Sequence, residues 1–370
     1  MQASTRPNRA VTIWLLVVCG LIIFLIAFGG FVRLTRSGLS IVEWNPISGV
    51  VPPIGHAAWQ AEFAKYQLTP EFLKVNTAMT LPEYQEIFLI EYTHRLIARF
   101  AGLLVAIPLI YFLLKGMIPR RQRWLYILIG ILFAFQGVLG WYMVSSGLVD
   151  RPAVSHFRLT AHLLLALTLL AITFRLALDR IYGHPKKQPG GRAAAYWLSV
   201  LVIGILVVQI GYGGLVAGLK AGHVSDTWPL MFGYLVPPGL LTAAGGWLNS
   251  ILTAPATLHF IHRWLAFVVL AVALAVYFVA RRHAYAPQVR RSSLLLAALV
   301  LVQITLGIGV VMMGVPIVVA LTHQFSAMML FLTALYLNHR LAAEPVTTAQ
   351  PAVSGQPLTA PVVKLSLIHI

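Results

Sequence analysis

Charge is what this chain has least of. Asp, Glu, Lys and Arg make up 10% of its 370 residues, where a soluble protein carries roughly 25%. That shortage argues against an ordinary soluble enzyme. Acids are the scarcer sign, 10 against 27 Lys and Arg, for a formal net charge of +17. Cysteine is nearly missing. The single Cys19 excludes a disulfide within the chain and any cysteine-rich metal site. What fills the space is apolar: 59% of the residues are hydrophobic. Eight runs approach the ~20 residues that cross a hydrocarbon core. They lie near 11–32, 87–114, 124–144, 157–178, 195–217, 256–280, 293–313 and 317–337. The expected fold class is an all-α integral membrane protein with eight transmembrane helices.

The basic excess does not imply nucleic acid, because of where it sits. With the N-terminus inside, the inner segments hold Arg6, Arg9, Lys115, Arg120, Arg121, Arg123, Arg175, Arg180, Lys186, Lys187, Arg192, Arg281, Arg282, Arg290, Arg291 and Arg340. The opposite loops hold Glu43, Glu62, Glu71, Glu83, Glu86, Asp150 and Asp226. Positive charge gathers on the side that is not translocated, so both termini are expected in the cytoplasm. The opening MQASTRPNRA is too short for a transit peptide, and the apolar run after it is longer than a signal-peptide core. A bacterial cytoplasmic membrane is the simplest location.

Two outer loops stand out. The first, 33–86, contains Trp, Pro and mixed charge and is expected to be ordered, with turns at EWNPISGVVPP. The second, 218–255, contains DTWPLMFG and is rich in Gly and Pro. From about 342 the composition is that of a disordered linker. The closing LSLIHI matches the translation of a common sequencing-adapter sequence and is set aside with His369.

An internal repeat shows through. Gly29, Gly30, Val32, Gly38 and Trp44 align without a gap on Gly213, Gly214, Val216, Gly222 and Trp228. EYTHRLIARF (91–100) then aligns with HFIHRWLAFV (259–268), FQGVLG (135–140) with VQITLG (302–307), and RLTAHLLLALTLL (158–170) with VALTHQFSAMMLF (319–331). The order is kept, so the chain reads as two pseudo-symmetric four-helix bundles related by an axis along the membrane normal. The expected divisions are a cytoplasmic N-terminus 1–10, a first half 11–180 with its outer loop 33–86, a linker 181–194, a second half 195–338 and a cytoplasmic tail 339–370.

Four histidines fall at matched places: His94 and His162 in the first half, His262 and His323 in the second. All four are expected in the outer part of the membrane, where an ionisable residue is a functional candidate by default. A catalytic zinc could take two histidines and a glutamate in the first half, but the second half offers only histidines. Heme iron needs one or two axial ligands across an apolar bundle, so two hemes, one per half, fit better. Arg95, Arg99, Arg158 and Arg263 lie beside these histidines and suit heme propionates. Glu91 shares a helix face with His94, and its matched position holds His259. Only the first half therefore has a buried carboxylate beside its ligand, and Glu91 is the candidate catalytic acid. An ion pair between Glu91 and Arg95, four residues on, is the plain structural alternative.

Taken together, GGFVRLTRSGLSIVEWNPISGVVPP (29–53), EYTHR (91–95), FQGVLGWYMVSSGL (135–148), HFRLTAH (156–162), IHR (261–263) and THQ (322–324) resemble the heme A synthase family over about 11–338. The resemblance implies oxidation of a ring methyl of heme O to the formyl group of heme A, through successive hydroxylations, for terminal oxidases. It implies that His94 and His162 ligate the substrate or product heme and that His262 and His323 ligate heme b. Glu91 matches the family's essential acid. Further implied partners are heme O synthase (a protoheme farnesyltransferase), an electron-transfer partner and the lipid membrane; a homo-oligomer is left open. Some members carry paired cysteines in the outer loops; this chain has none there, so no thiol role carries over.

Two other classes compete. A diheme b-type cytochrome exchanging electrons with quinone uses all four histidines but gives the Glu91/His259 difference no role. A transporter built on such a repeat predicts broken helices, with Pro108 as the main candidate break. The sequence names no electron donor, acceptor or oxygen source, and assigns no role to Gln136, Gln303, His56, His156 or His223. His156 reads as a surface residue.

Overall fold

The computed structural model describes residues 8–185, 194–283 and 285–343. The linker residues Lys186, Lys187 and Arg192, and the tail from 344 with LSLIHI, lie outside them. The helices are α1 (Arg9–Leu34), α2 (His56–Gln67), α3 (Pro70–Lys74), α4 (Leu81–Leu114), α5 (Arg123–Ser145), α6 (His156–Tyr182), α7 (Ala194–Gly218), α8 (Gly246–Thr253), α9 (Pro255–Arg282), α10 (Pro287–Met312) and α11 (Ile317–Ala343). Eight of them, all but α2, α3 and α8, are long and apolar enough to span a membrane. Among the described residues there is no β-strand, and Met231 pairs with Tyr234 in an isolated bridge.

Helix ends follow local chemistry. The Asn8 side chain accepts a hydrogen bond from the Ala10 N–H (2.9 Å) and caps α1. Thr80 and Glu83 form a reciprocal capping box at the start of α4, with Pro82 in the first turn. That cap starts α4 at Leu81, six residues earlier than the apolar run at 87 indicates. At 34 residues, α4 is ~51 Å long and projects well beyond a ~30 Å hydrocarbon core. Pro108 lies inside α4 without ending it, so the break expected of a transporter is not there. The last helix runs to Ala343, past the boundary of 338 drawn from hydropathy.

In the first half α1 packs on α4 and α6, and α5 on α4 and α6. In the second, α7 packs on α9 and α11, and α10 on α9 and α11. The halves meet where α6 lies against α7 and α11, and α1 against α11. Each half has its own apolar core, and each core borrows one buried residue across the seam: Met328 joins the first and Leu167 the second.

The first interhelical loop is more helical than its turn-rich sequence indicates. After the turns at 44–55 it forms α2 and α3. An aromatic cluster fixes them to the top of α4: Trp59 packs edge-on to Phe88 (5.0 Å), and Tyr66 stacks on Tyr84 (5.0 Å). Lys65 on α2 reaches Glu43 (3.0 Å) and Glu62 (2.8 Å). Its hydrogen bond holds the Glu43 carboxyl below its ordinary value.

Candidate functional site

The N-terminal part of α4 carries Glu91, Tyr92, Arg95 and Arg99, whose side chains all bind one strap of the loop, residues 40–50. Glu91 is 3% exposed. Its Oε2 accepts from the Ser40 N–H (2.8 Å), the Ser40 hydroxyl (2.7 Å) and the Ile41 N–H (3.0 Å). Its Oε1 accepts from Arg95 Nε (3.0 Å) and Nη2 (2.5 Å). Arg95 also donates to the carbonyls of Ile41 (3.1 Å) and Glu43 (3.3 Å). One helical turn further, Arg99 donates to the carbonyls of Asn45 (2.9 Å) and Pro46 (3.0 Å). Tyr92 donates to the carbonyl of Val50 (2.5 Å). The strap has no partner strand, and these side chains bond its backbone, adding to the turn bonds of the Ser40 N–H and the Asn45 carbonyl.

His94 is held on a different neighbour. Its ring lies against Gly29 of α1, where an added Cβ would be 3.3 Å from Nε2, and Phe28 sits 5.9 Å away. The same device recurs at every matched histidine. A Cβ at Gly213 would be 3.1 Å from Cε1 of His262, at Gly140 3.0 Å from Cε1 of His162, and at Gly307 3.1 Å from Cε1 of His323. Gly29 and Gly213, and Gly140 and Gly307, are themselves repeat-matched. Each imidazole thus sits in a notch that a Cβ would crowd by a few tenths of an ångström.

Amides set the rings. Gln136 Nε2 donates to the His162 carbonyl (3.0 Å) and lies 3.4 Å from its Nε2. Gln303 repeats this at His323, at 3.0 Å and 3.2 Å. Gln209 Nε2 donates to the His262 carbonyl (2.8 Å), and His262 Nδ1 is 3.1 Å from the Gln209 carbonyl. A carbonyl only accepts, so Nδ1 carries the proton and Nε2 keeps a lone pair. The His262 and His323 ring centroids are 6.4 Å apart, with the ring planes at 75°. Two imidazoles flanking one metal at about 2 Å on each side would have centroids roughly 6 Å apart. Nδ1 of His162 and of His323 are buried without a protein partner.

The second half varies the α4 pattern. His259, at the place of Glu91, meets Arg263 Nη2 (3.3 Å), four residues on, as Glu91 meets Arg95. Arg263 donates to the Leu230 carbonyl (3.4 Å) and lies 5.2 Å from the Trp228 ring centre. Trp44 and Trp228 are repeat-matched but stack differently. Trp44 lies on Trp141 of α5 (5.2 Å), and Trp228 on Phe267 of α9 (6.0 Å).

The residues expected to face propionates are therefore tied to protein in the structure. Arg95 spends its donors on Glu91 and the strap. Arg158 donates to the Tyr142 carbonyl (2.8 Å) and stacks over that ring (3.6 Å). Arg99 keeps a buried Nη1 without a partner, and Arg263 a buried Nε. His56 and His223 are exposed. His156 corrects its surface reading: it is 8% exposed, because its backbone lies against Gly218 of α7 at the seam.

A model of the COX15-CtaA family, cytochrome oxidase assembly proteins, matches residues 12–335. The chain belongs to that family. The match to the COX15-CtaA family runs from α1 to α11 and takes in Glu91 and all four matched histidines. Relatives named heme A synthase align over most of their length. One from Paramagnetospirillum magneticum is 41% identical over 342 residues, 91% of this chain and 95% of the relative. One from Nitrosospira multiformis is 39% identical over 352 residues, 92% and 98%. One from Brucella abortus is 39% identical over 325 residues, 88% and 90%.

Within this COX15-CtaA chain, sequence reasoning missed Ser40, Gln209 and Gln324 as parts of the site. Gln324 Nε2 donates to the Ile26 carbonyl (2.7 Å), and its side chain fills the space a Cβ at Gly30 would need. The matched glycine pairs 29–30 and 213–214 were the available signal. The first of each pair cradles a histidine of its own half. The second takes a side chain from the other half, Gln324 at Gly30 and Thr160 at Gly214.

Proposed function

We propose that the protein is an oxidoreductase that converts heme O to heme A for terminal oxidases. Family membership and the heme A synthase relatives support the reaction. The observation that carries it to this chain is the set of four imidazoles, two in each half, each in its own glycine notch. In this reading the second half holds heme b between His262 and His323. Their 6.4 Å spacing and the unpartnered Nδ1 of His323 fit a bis-imidazole metal centre. The first half takes the substrate heme at His94 and His162, where Nδ1 of His162 likewise has no partner. A heme supplies an iron able to pass electrons and, at the substrate site, the methyl group to be oxidised by successive hydroxylations.

The chain's own residues then have distinct tasks. The Gln136 and Gln303 amides orient the His162 and His323 rings, and the Gln209 backbone carbonyl orients His262. Arg99 and Arg263 keep unpartnered guanidinium nitrogens that suit a propionate. Glu91 is the acid beside the substrate. All its present bonds go to Ser40, Ile41 and Arg95, so moving a proton there requires one of them to open. The strap 40–50 and the aromatic loop above it keep bulk water from the site. The termini are cytoplasmic. That orientation rests on Arg9, Lys115, Arg120, Arg121, Arg281, Arg282, Arg290, Arg291 and Arg340, which all lie at the ends of the spans opposite the histidines. An inner-membrane location, supply of substrate by a heme O synthase and an electron-transfer partner belong to the same reading.

Heme extraction from the purified protein, followed by chromatography, tests it. Heme B together with heme O or heme A is expected. Heme B alone at two per chain would replace this reading with a diheme electron carrier.

A further inference from the structure

The segment from Trp228 to Thr253, between α7 and α9, meets the site described above at Arg263, through Trp228 and the Leu230 carbonyl. From Asp226 to Arg263 the sequence contains no intervening Asp, Glu, Lys or Arg. The repeat-related first loop, by contrast, carries Arg36, Glu43, Glu62, Lys65, Glu71 and Lys74. Outside the spans, a charge-free stretch of this length is unusual for chain bathed in water. Its side chains divide sharply. The hydrocarbon faces out: Phe232, Tyr234, Leu235, Val236, Trp247 and Leu248 are each more than half exposed.

Its polar side chains satisfy nearby backbone. Thr227 donates to the Leu230 carbonyl (2.7 Å), Thr242 to Gly239 (2.8 Å), Asn249 to Ala244 (2.5 Å) and Ser250 to Gly246 (3.0 Å). The Ser250 hydroxyl also accepts from the Ala243 N–H (3.1 Å), and Thr257 donates to the Leu240 carbonyl. Met231 and Tyr234 exchange both backbone bonds, at 2.8 Å and 3.0 Å. Internal pairing of polar groups under an apolar exterior is what a hydrocarbon environment demands of non-helical chain. Aromatic residues with one polar atom, as at Tyr234 and Trp247, favour the headgroup boundary. Between this segment and the top of α9 lies a cleft of ≈ 440 Å³ lined by Val236, Pro237, Leu240, Leu241, Phe260 and Ile261.

We propose that residues 228–253 form a membrane-embedded cap, with their apolar face in the lipid leaflet at the histidine end of the bundle and α8 lying along the interface. The occupant of the cleft is a lipid acyl chain. Lipid is favoured over a second protein because the segment has no charged rim, which protein interfaces keep at their edges.

Site-directed spin labelling tests this in the full chain. Cys19 is replaced by Ala, and single cysteines are placed by L248C, L235C and, as a control in the charged loop, A61C. The labelled proteins are reconstituted in phosphatidylcholine–phosphatidylglycerol vesicles. Retained heme reports folding, and two cap positions guard against failure of one variant. Labels at 248 and 235 are expected to be relaxed by oxygen and shielded from a water-soluble nickel chelate, with the reverse at 61. Relaxation by nickel at both cap positions would overturn the proposal and place the segment in water. Shielding from both agents with dipolar broadening would also overturn it, by showing a second copy against the cap.

Discussion

At the scale of the residue, Glu91 concentrates the most consequence in the fewest atoms. It gathers two backbone N–H groups, a hydroxyl and a guanidinium in a site 3% exposed. Truncation by Glu91→Ala strips the Ile41 N–H of its carboxylate partner and breaks the buried pair with Arg95, which costs about 3–5 kcal/mol. Glu91→Gln keeps the shape but loses the charge facing Arg95. Heme A formation, read by extraction and chromatography, is expected to fall at least about tenfold in Glu91→Gln, the factor set by ~1.5 kcal/mol in a charged hydrogen bond. Normal heme A output from Glu91→Gln would remove the chemical role given to this acid. At the other site, His262→Ala and His323→Ala are each expected to remove the second half's contribution to the low-spin heme absorption while leaving heme bound at the first half. A variant at either position with an unchanged Soret and α-band spectrum would exclude the bis-histidine assignment.

At the scale of the element, the helices are recognisable from hydropathy, but their contacts turn on single glycines. Replacing Gly140 or Gly307 by Ala puts a Cβ 3.0 or 3.1 Å from Cε1 of His162 or His323. The imidazole must then move or the helices must part. Each variant is expected to lose heme on size-exclusion chromatography. Gly20→Ala in α1, with nothing within 4 Å of the new Cβ, is the control. It removes glycine from a helix interior and is expected to keep heme and gain up to about 1 kcal/mol. Equal heme loss in all three would show that the notches are not specific. Gly30 offers a further test, since Gly30→Ala collides with Gln324. A double-mutant cycle with Gln324→Ala is expected to recover part of the loss, with a coupling of about 0.5–3 kcal/mol. Strict additivity in thermal melts would deny contact between α1 and α11 at this joint.

At the scale of the whole molecule, the two halves are joined by polar contacts at both ends of the seam. Near the histidine end, Arg33 of α1 donates to the Ala217 carbonyl of α7 (3.0 Å). At the opposite end, Asp179 of α6 meets His339 of α11 (2.9 Å), Arg175 (3.3 Å) and His184 (3.0 Å). His339 is fully buried. Asp179→Asn is expected to lower the melting temperature in detergent by several degrees, while Arg175→Ala, whose own side chain is 35% exposed, shifts it little. An unchanged melt in Asp179→Asn would mean that the Asp179–His339 contact does not help to hold the halves together.

The sequence by itself determined the eight spans, the order of the repeat and the four histidines. Each follows from a local property: apolar length sets a span, and a preserved order of matched motifs sets a repeat. It also held the asymmetry at Glu91 and His259, because matched positions can be compared without coordinates. Tertiary structure decided what the charges touch. EYTHRLIARF reads as a ligand cluster in sequence, yet three of its charged side chains, at 91, 95 and 99, bind a strap about fifty residues earlier. No local pattern reports which distant carbonyls a guanidinium will find. The same holds for the burial of His156 and for the glycine notches, since space beside a ring depends on how closely two helices approach. Local chemistry wrote the elements, and long-range packing chose their partners.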